Sequence, residues 1–370
     1  MSGFSVTFYG HACLRVNSGA SSFVMDPWFS TEGAFYRSWF QFPQNSQFKD
    51  EALKGVADIC LSHDHTDHLD TDVLLPALQQ NPSLRVHVAK FQTDWFIRRV
   101  HRFLPGFKDR IIQHEPFEQV RFGDDGFFFF LPEESPAQID SAIVCLAGGK
   151  SLINLNDARL NAEQLLRVKE LVGTVDYLAL QASGASEYPV NYTYPSNDMP
   201  QLRLEKRQSK LVACERIIDL LDAKNVLFFA GPPVFLDDGL TWLNQPQEHS
   251  VFPDQLEVLH EFEARRPDIA EKSFFLMPGD GLDDSHLLRN IKVSESRYSA
   301  YTEKADYVKD YATRIAREHF DWGDPVPDDL LLAHLTDMVN QSAYMSEKIG
   351  GAIVFQVQGR DTQKTYTADF

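Results

Sequence analysis

The segment Leu61-Ser-His-Asp-His-Thr-Asp-His-Leu-Asp70 constrains this chain more than any other stretch. Three imidazoles and two carboxylates crowd between His63 and His68, directly after the apolar run 57–61. A short apolar run bounded by polar residues predicts a buried strand. Where that strand gives way to a turn, His63 and His65 can point to one side while Asp67 and His68 swing to a second position. Paired metal ions sit about 3.5 to 4 Å apart, so one short segment can ligate two of them. Neutral imidazoles suit Zn, Fe and Mn, and carboxylates favour the harder of these ions. The competing reading is a polar helix start, with Ser62 as cap and the acids complementing the macrodipole. It leaves clustered imidazoles with no cation to hold them, so the expectation is a metal site.

Around this motif, short runs predict strands at 5–9, 12–16, 22–25 and 85–89, and helical spacing appears at 75–80 and 91–103. A second strand-rich stretch follows, at 111–122, 127–131, 142–146 and 151–155. The rhythm then becomes helix 162–171, strand 177–181, helix 211–221 and strand 226–230. Strands first, then alternating helix and strand, predict sheets covered by helices on their outer faces, an α/β (α+β) chain. From residue 293 onward the pattern is helical (298–320, 328–349) and closes on a hairpin, 351–358 with 365–370. The expected division is therefore a domain of residues 1–290 and an appendage of helices and hairpin, 291–370.

Charge narrows the partners. Lys and Arg number 35 against 53 Asp and Glu, a formal charge of -18, which repels a phosphate backbone and argues against nucleic acid. No apolar run has the length of a membrane span. Cys13, Cys60, Cys145 and Cys214 are scattered without a CxxC pair, and the N-terminus alternates like a strand, so a reduced cytoplasmic protein without a signal peptide is expected. The expected partner is a small molecule. The loop 28–48 offers Trp28, Tyr36, Arg37 and Trp39 to hold it, unless those aromatics simply cover the sheet edge. The stretch 188–210 adds Tyr192, Tyr194 and Arg203 near Lys206, Arg207 and Lys210, a basic cluster able to steer an anion, or else the charged first turn of a helix. His11 lies beside a strand end near the motif and is read as a structural or supporting residue. Asp26, similarly placed, could accept a proton from a ligand imidazole and fix its tautomer.

The HxHxDH segment resembles the signature of the metallo-β-lactamase superfamily. Tyr9-Gly-His-Ala12 and Val24-Met-Asp-Pro27 resemble the entry to its lactonase-like branch, and the resemblance covers about residues 5 to 285. It implies an αββα sandwich with two divalent metal ions (Zn, Fe or Mn) at one edge of the sheets. It also implies that Asp157 of Asn154-Leu-Asn-Asp157 is the bridging carboxylate. Met25-Asp-Pro-Trp28, Ala230-Gly-Pro-Pro233 and Phe235-Leu-Asp-Asp238 more nearly resemble the lactamase-like domain of CMP-N-acetylneuraminate hydroxylases.

The chain also departs from that pattern. Where most members carry a third histidine before the bridging aspartate, it has Leu131-Pro-Glu-Glu-Ser135. Glu133 or Glu134 could fill the place, which is similar to the diiron β-hydroxylase of chloramphenicol biosynthesis and shifts the metal towards Fe or Mn, unless both are solvent charges at a strand end. The last family histidine is missing from Val226 to Pro233. Asp237, Asp238, His249 or Asp280 could reach in; otherwise the second ion is weak or absent. Asp67 could ligate, orient water or take its proton. The leading expectation is a hydrolase that uses metal-activated water on a small anionic substrate. The alternative is a diiron oxygenase, which needs an electron-transfer partner because the chain has no CxH and CxxH Rieske pair. A third class is a non-catalytic binding module that has lost part of its metal set.

Overall fold

Strand alternation sorts the core of this protein. In the computed structural model, which describes residues 3–135, 139–183, 195, 198–244, 251–283, 286–288, 294–315, 327–341, 352–358 and 363–369, Phe128 and Phe130 fall in one apolar cluster while their neighbours Phe129 and Leu131 fall in another. The two clusters are the two faces of one sheet, as a period of two requires.

The first sheet holds eight strands. Its centre is β1 (Phe4–Gly10), β2 (Cys13–Ser18), β3 (Ser21–Met25), β4 (Asp58–Leu61), β5 (Arg85–Ala89) and β6 (Ile111–His114), with β14 (Gly281–Asp283) and β15 (His286–Leu288) on the β1 edge. The second has seven: β7 (Val120–Phe122), β8 (Gly126–Pro132), β9 (Ser141–Ala147), β10 (Lys150–Asn154), β11 (Tyr177–Gln181), β12 (Asn225–Phe229) and β13 (Ser273–Phe274). The inner faces pack on each other through Phe23, Phe128, Ile143, Tyr177 and Phe229. Helices α1 (Lys49–Leu53), α2 (Thr71–Gln80) and α3 (Trp95–Phe103) belong to the first half. Helices α4 (Ala162–Val172), α5 (Met199–Leu221), α6 (Gln255–Arg265) and α7 (Pro267–Ala270) follow. Leu165, Val168, Leu211, Ile218, Val258 and Phe262 from these helices cover the outer face of the second sheet. This is the layered sandwich expected.

The stretch 111–122 is not one strand. It crosses from β6 in the first sheet to β7 in the second through a turn at which Phe117 has φ 65. Helix α5 begins at Met199, so Arg203, Lys206, Arg207 and Lys210 ride on a helix. The chain forms two compact units, Met1–Ile315 and Ala316–Phe370. Residues 294–315, assigned by sequence to the appendage, form α8 (Ser294–Thr302) and α9 (Lys304–Arg314) within the first unit. Ala300, Tyr301, Val308 and Tyr311 of these helices pack on Phe40, Phe42, Val234 and Met277. In the second unit lie α10 (Asp328–Gln341) and the antiparallel pair β16 (Ala352–Gln358) and β17 (Gln363–Asp369). No helix among the described residues is long and apolar enough to cross a membrane.

Away from the site, His87 of β5 sits fully buried between Asp58 Oδ1 and His114 Nε2, each at 2.9 Å. Burial pushes His87 below its ordinary value, partly offset by Asp58. Burial would raise Asp58, but hydrogen bonds from His87 and Arg85 outweigh it and hold that carboxyl low. Both groups bind protons more readily unfolded than folded, so stability rises with pH across their range. We expect their contribution to be complete above pH 6.5, the ordinary histidine value, and to drain away as the pH falls through it and then through 3.8, the ordinary aspartate value. Between pH 8 and pH 4 the urea midpoint of the parent should fall relative to that of His87→Asn. Equal slopes would remove these groups as the cause.

Candidate metal centre

The imidazole-rich segment leaves the C-terminal end of β4, which lies between two parallel neighbours, β3 and β5. His65 O then accepts both His68 N–H (3.0 Å) and Leu69 N–H (2.7 Å), closing a tight turn. Asp70 ends it as the cap of α2. Its Oδ1 takes the Asp72 and Val73 N–H groups, and its Oδ2 takes those of Phe29 (3.0 Å) and Ser30 (2.8 Å). A strand end and a helix cap thus hold six residues in a fixed shape. Four neighbours share an uncommon backbone: His11, Asp26, Asn156 and Ala230 have φ of 48, 43, 49 and 53. Left-handed non-glycine residues cost free energy and persist where the surroundings over-determine them, often at functional sites.

Among the described residues three donor groups result: His63, His65 and Asp140; His63, His68 and Asp157; and His11, Asp67 and His68, with the donor atoms of each within 4.8 Å of one another. Sharing His63 and His68 makes them one continuous row, with Asp157 in the middle group. His63 and His68 are fully buried, His11, Asp67 and Asp140 nearly so, and Asp157 keeps 22% of its side chain exposed.

Two of the imidazoles, His63 and His68, are oriented from behind. Asp26 Oδ2 lies 2.9 Å from His68 Nδ1 and accepts the Ser62 hydroxyl at 2.6 Å, while Asp26 Oδ1 accepts the Ser62 N–H. Ser62 Oγ is also 2.9 Å from His63 Nδ1. That leaves His68 Nε2 facing Asp67 Oδ2 (3.8 Å) and Asp157 Oδ1 (3.7 Å), too far for hydrogen bonds. A carboxylate behind a ligand imidazole fixes its tautomer in this way. Asp67 Oδ2 is 3.0 Å from His11 Nε2, and Asp157 Oδ1 accepts the Gln181 amide at 2.6 Å.

The electrostatics show what the row lacks. Burial alone would depress His68, yet Asp67, Asp26 and Asp157 outweigh it and raise the imidazole to about 10. Asp140 is pushed up to about 8 by burial, then by Asp157 and Glu133. Buried charge of one sign must be neutralised by protons or by a cation. His68 Nε2, Asp67 Oδ1 and Asp140 Oδ1 are buried without a hydrogen-bond partner. Orphaned donor atoms, mixed imidazole and carboxylate, and prearranged orientation together fit divalent ions.

The structure brings together His63, His65, Asp67, His68 and Asp157, with His11 and Asp26 against them. It does not bring in the two glutamates. Glu133 turns its oxygens to the Arg159 N–H (3.0 Å) and the Ser135 hydroxyl (2.7 Å), and Glu134 accepts from Asn161. The carboxylate beside His63 is Asp140, which the sequence reading missed. Glu133 N–H donates to Asp140 O across the start of the β8–β9 hairpin, so strand register puts Asp140 opposite Glu133. Beside Asp67 and His68 stands His11, brought from the β1–β2 turn; Asp237, Asp238 and Asp280 enter no donor group, and His249 lies outside the described residues.

The aromatic loop needs a similar correction. Trp28 is buried, its ring 4.9 Å edge-on from His11, so it is a wall of the centre and not an open contact. Tyr36 is fully exposed, Arg37 pairs with Glu32 and Trp39 packs on Phe35 and Phe235. The loop residue that approaches the row is Phe35, 5.7 Å from His65, anchored by its N–H to the Thr66 hydroxyl. Arg203 lies over the Trp242 ring, and Tyr192 and Tyr194 fall outside the described residues.

Two sheets packed face to face, helices on the outside and a His/Asp row at a strand edge define a metallo-β-lactamase-fold protein, and this chain is one. No family model matches it. Among curated proteins it is 29% identical, over 99% of its length, to a Mycolicibacterium smegmatis protein named as a Rieske 2Fe-2S iron-sulfur protein, of which it spans 72%. It is 30% identical to a like-named Mycobacterium tuberculosis protein, covering 84% of the chain and 60% of that protein. It is 25% identical to the cytidine monophosphate-N-acetylneuraminic acid hydroxylase of Xenopus laevis over 51% of the chain and 31% of the hydroxylase. Among solved structures, CmlA, a diiron β-hydroxylase from Streptomyces venezuelae, aligns with TM-score 0.50 and 16% identity over 76% of this chain and 54% of its own. A possible metal-dependent hydrolase from Veillonella parvula aligns with TM-score 0.52 and 11% identity over 76% of this chain and 99% of its own. At such identities the structures speak for the fold alone.

Proposed function

We propose that this protein is a metal-dependent hydrolase of a small anionic molecule with two metal positions. The observation that carries this is the continuous row of three donor groups with Asp157 between its ends. His63, His65 and Asp140 would hold one ion, Asp67, His68 and His11 the other, and Asp157 would reach both. Two divalent ions so placed supply an activated water and polarise a substrate oxygen. The chain's own residues keep that arrangement stiff. Asp26 and Ser62 fix His68 and His63, and Trp28 closes the wall behind His11. The His11 contact to Asp67 Oδ2 supports a ligand or water-orienting role for Asp67 over that of a free base.

A second reading, an iron-dependent hydroxylase fed by a separate electron donor, draws on one geometric observation. His63, His65 and Asp140 make a group of two imidazoles and one carboxylate, a set that favours iron. The names of the hydroxylase and Rieske relatives support it as well.

Elemental analysis of protein purified without added metal separates these readings. Zinc or manganese with turnover of lactone or phosphodiester substrates supports the hydrolase. Two irons per chain, an absorbance change with dioxygen and no hydrolysis support the hydroxylase. Protein that takes up no ion overturns both and leaves a binding module. We further expect Asp140→Ala to lose one ion per chain and Asp140→His to regain it with zinc preferred. Unchanged stoichiometry in Asp140→Ala would show that Asp140 is not a ligand.

A further inference from the structure

On the helix-covered side of the second sheet, a cavity of about 440 Å³ opens between the ends of β10 and β11, the start of α4 and the middle of α5. That volume is in the range of small-molecule sites. Asp157 and Gln181 form one wall, so the cavity backs directly onto the metal row. Leu160, Leu165, Leu180 and Ile217 make the apolar part of the lining. Arg159, Lys206, Lys210 and Arg216 bring four basic side chains to it in a chain of formal charge -18. Lys206 and Lys210 are one helical turn apart on α5, where like charges repel and destabilise the helix. Lys210 feels this: burial, then the Lys206 charge, bring it down to about 7. Asn156 also lines the cavity, 2% exposed, and neither its Nδ2 nor its Oδ1 has a hydrogen-bond partner. A buried amide left unpaired carries a desolvation cost that a ligand group could recover.

We infer that this cavity binds an organic anion with a compact apolar body, its carboxylate or phosphate held by Lys206, Lys210 and Arg159 and a polar group of the ligand met by Asn156. The apolar body would lie against Leu160, Leu165 and Ile217. Calling that anion the substrate rests on the metal-dependent reading, because Asp157 joins the two places.

Isothermal titration of chelator-treated protein with phenyl phosphate tests the site apart from the metals. Phenyl phosphate should bind at least tenfold more tightly than inorganic phosphate, which has no apolar body, and than benzyl alcohol, which has no charge. Lys206→Met and Lys210→Met should each weaken it at least tenfold while the thermal midpoint stays near that of the parent. Should Lys210→Met fail to fold, Lys206→Met and Arg159→Met carry the test. Affinity unchanged in the folded variants, equal affinity for benzyl alcohol, or binding that appears only with metal restored would each overturn the proposal. Metal uptake without phenyl phosphate binding sinks the pocket alone, and binding without metal uptake sinks the hydrolase alone.

Discussion

Replacing His68 with alanine should reduce bound metal from two ions per chain to one, as should His65→Ala, because each residue belongs to one of the two proposed ion sites. Stability should separate the variants when both are stripped of metal. The raised His68 imidazole is then the cation that offsets buried Asp26 and Asp67 and part-buried Asp157. Removing one partner of a buried ion pair costs about 3–5 kcal/mol. His65 is only part-buried and leaves no such debt of charge, so its replacement should cost about 1 kcal/mol, a common value for point variants. Elemental analysis and urea unfolding of the metal-free proteins read both effects. Equal stability in the two metal-free variants would mean that the row is not organised around His68.

What the sequence disclosed about this centre was its local part. His63 to His68 needed only a strand end and a turn, both written into adjacent residues. Asp140 depended on hairpin register, because only the pairing of β8 with β9 sets it opposite Glu133 and the reading stopped at the nearer acids. A template that folded 131–142 back on itself before choosing a ligand would have reached it. His11 was visible as a neighbour of the motif, but its contact with Asp67 spans 56 residues and exists only because β1 and β4 share a sheet. The aromatic loop misled through backbone shape. Phe35, Tyr36 and Arg37 are consecutively left-handed, with φ of 49, 59 and 65, and the chain turns so that Phe35 faces in and Tyr36 out. Aromatic content marked the loop without saying which ring would touch the centre. The sandwich itself was legible because alternating apolar residues and helical spacing both survive in single stretches of sequence.

Lys304→Met is expected to be the most destabilising change outside the centre, and it explains why 294–315 belongs with the first unit. A lysine in a helical stretch reads as solvated, and lysines are almost never fully buried unless paired. Here Lys304 is 5% exposed, its Nζ 3.0 Å from Asp254 Oδ2, 3.7 Å from Glu257 Oε2 and 4.8 Å from the centre of the Phe42 ring. Asp254 and Glu257 are the capping box of α6, so the start of α9 is pinned to the start of another helix. Methionine would fill the space but remove the cation, leaving buried Asp254 beside part-buried Glu257 at a cost of about 3–5 kcal/mol. Adding Asp254→Asn should recover most of that loss, since asparagine caps a helix as well as aspartate and carries no charge. The pH dependence supplies an independent sign. Burial already raises Glu257, with Lys304 opposing it. Without the lysine that carboxyl rises further, and a proton can replace the missing cation. The deficit of Lys304→Met in urea unfolding should therefore be smaller at pH 5 than at pH 8. A deficit independent of pH, or one that Asp254→Asn deepens, would locate the cost in packing on Phe42 and not in the charge.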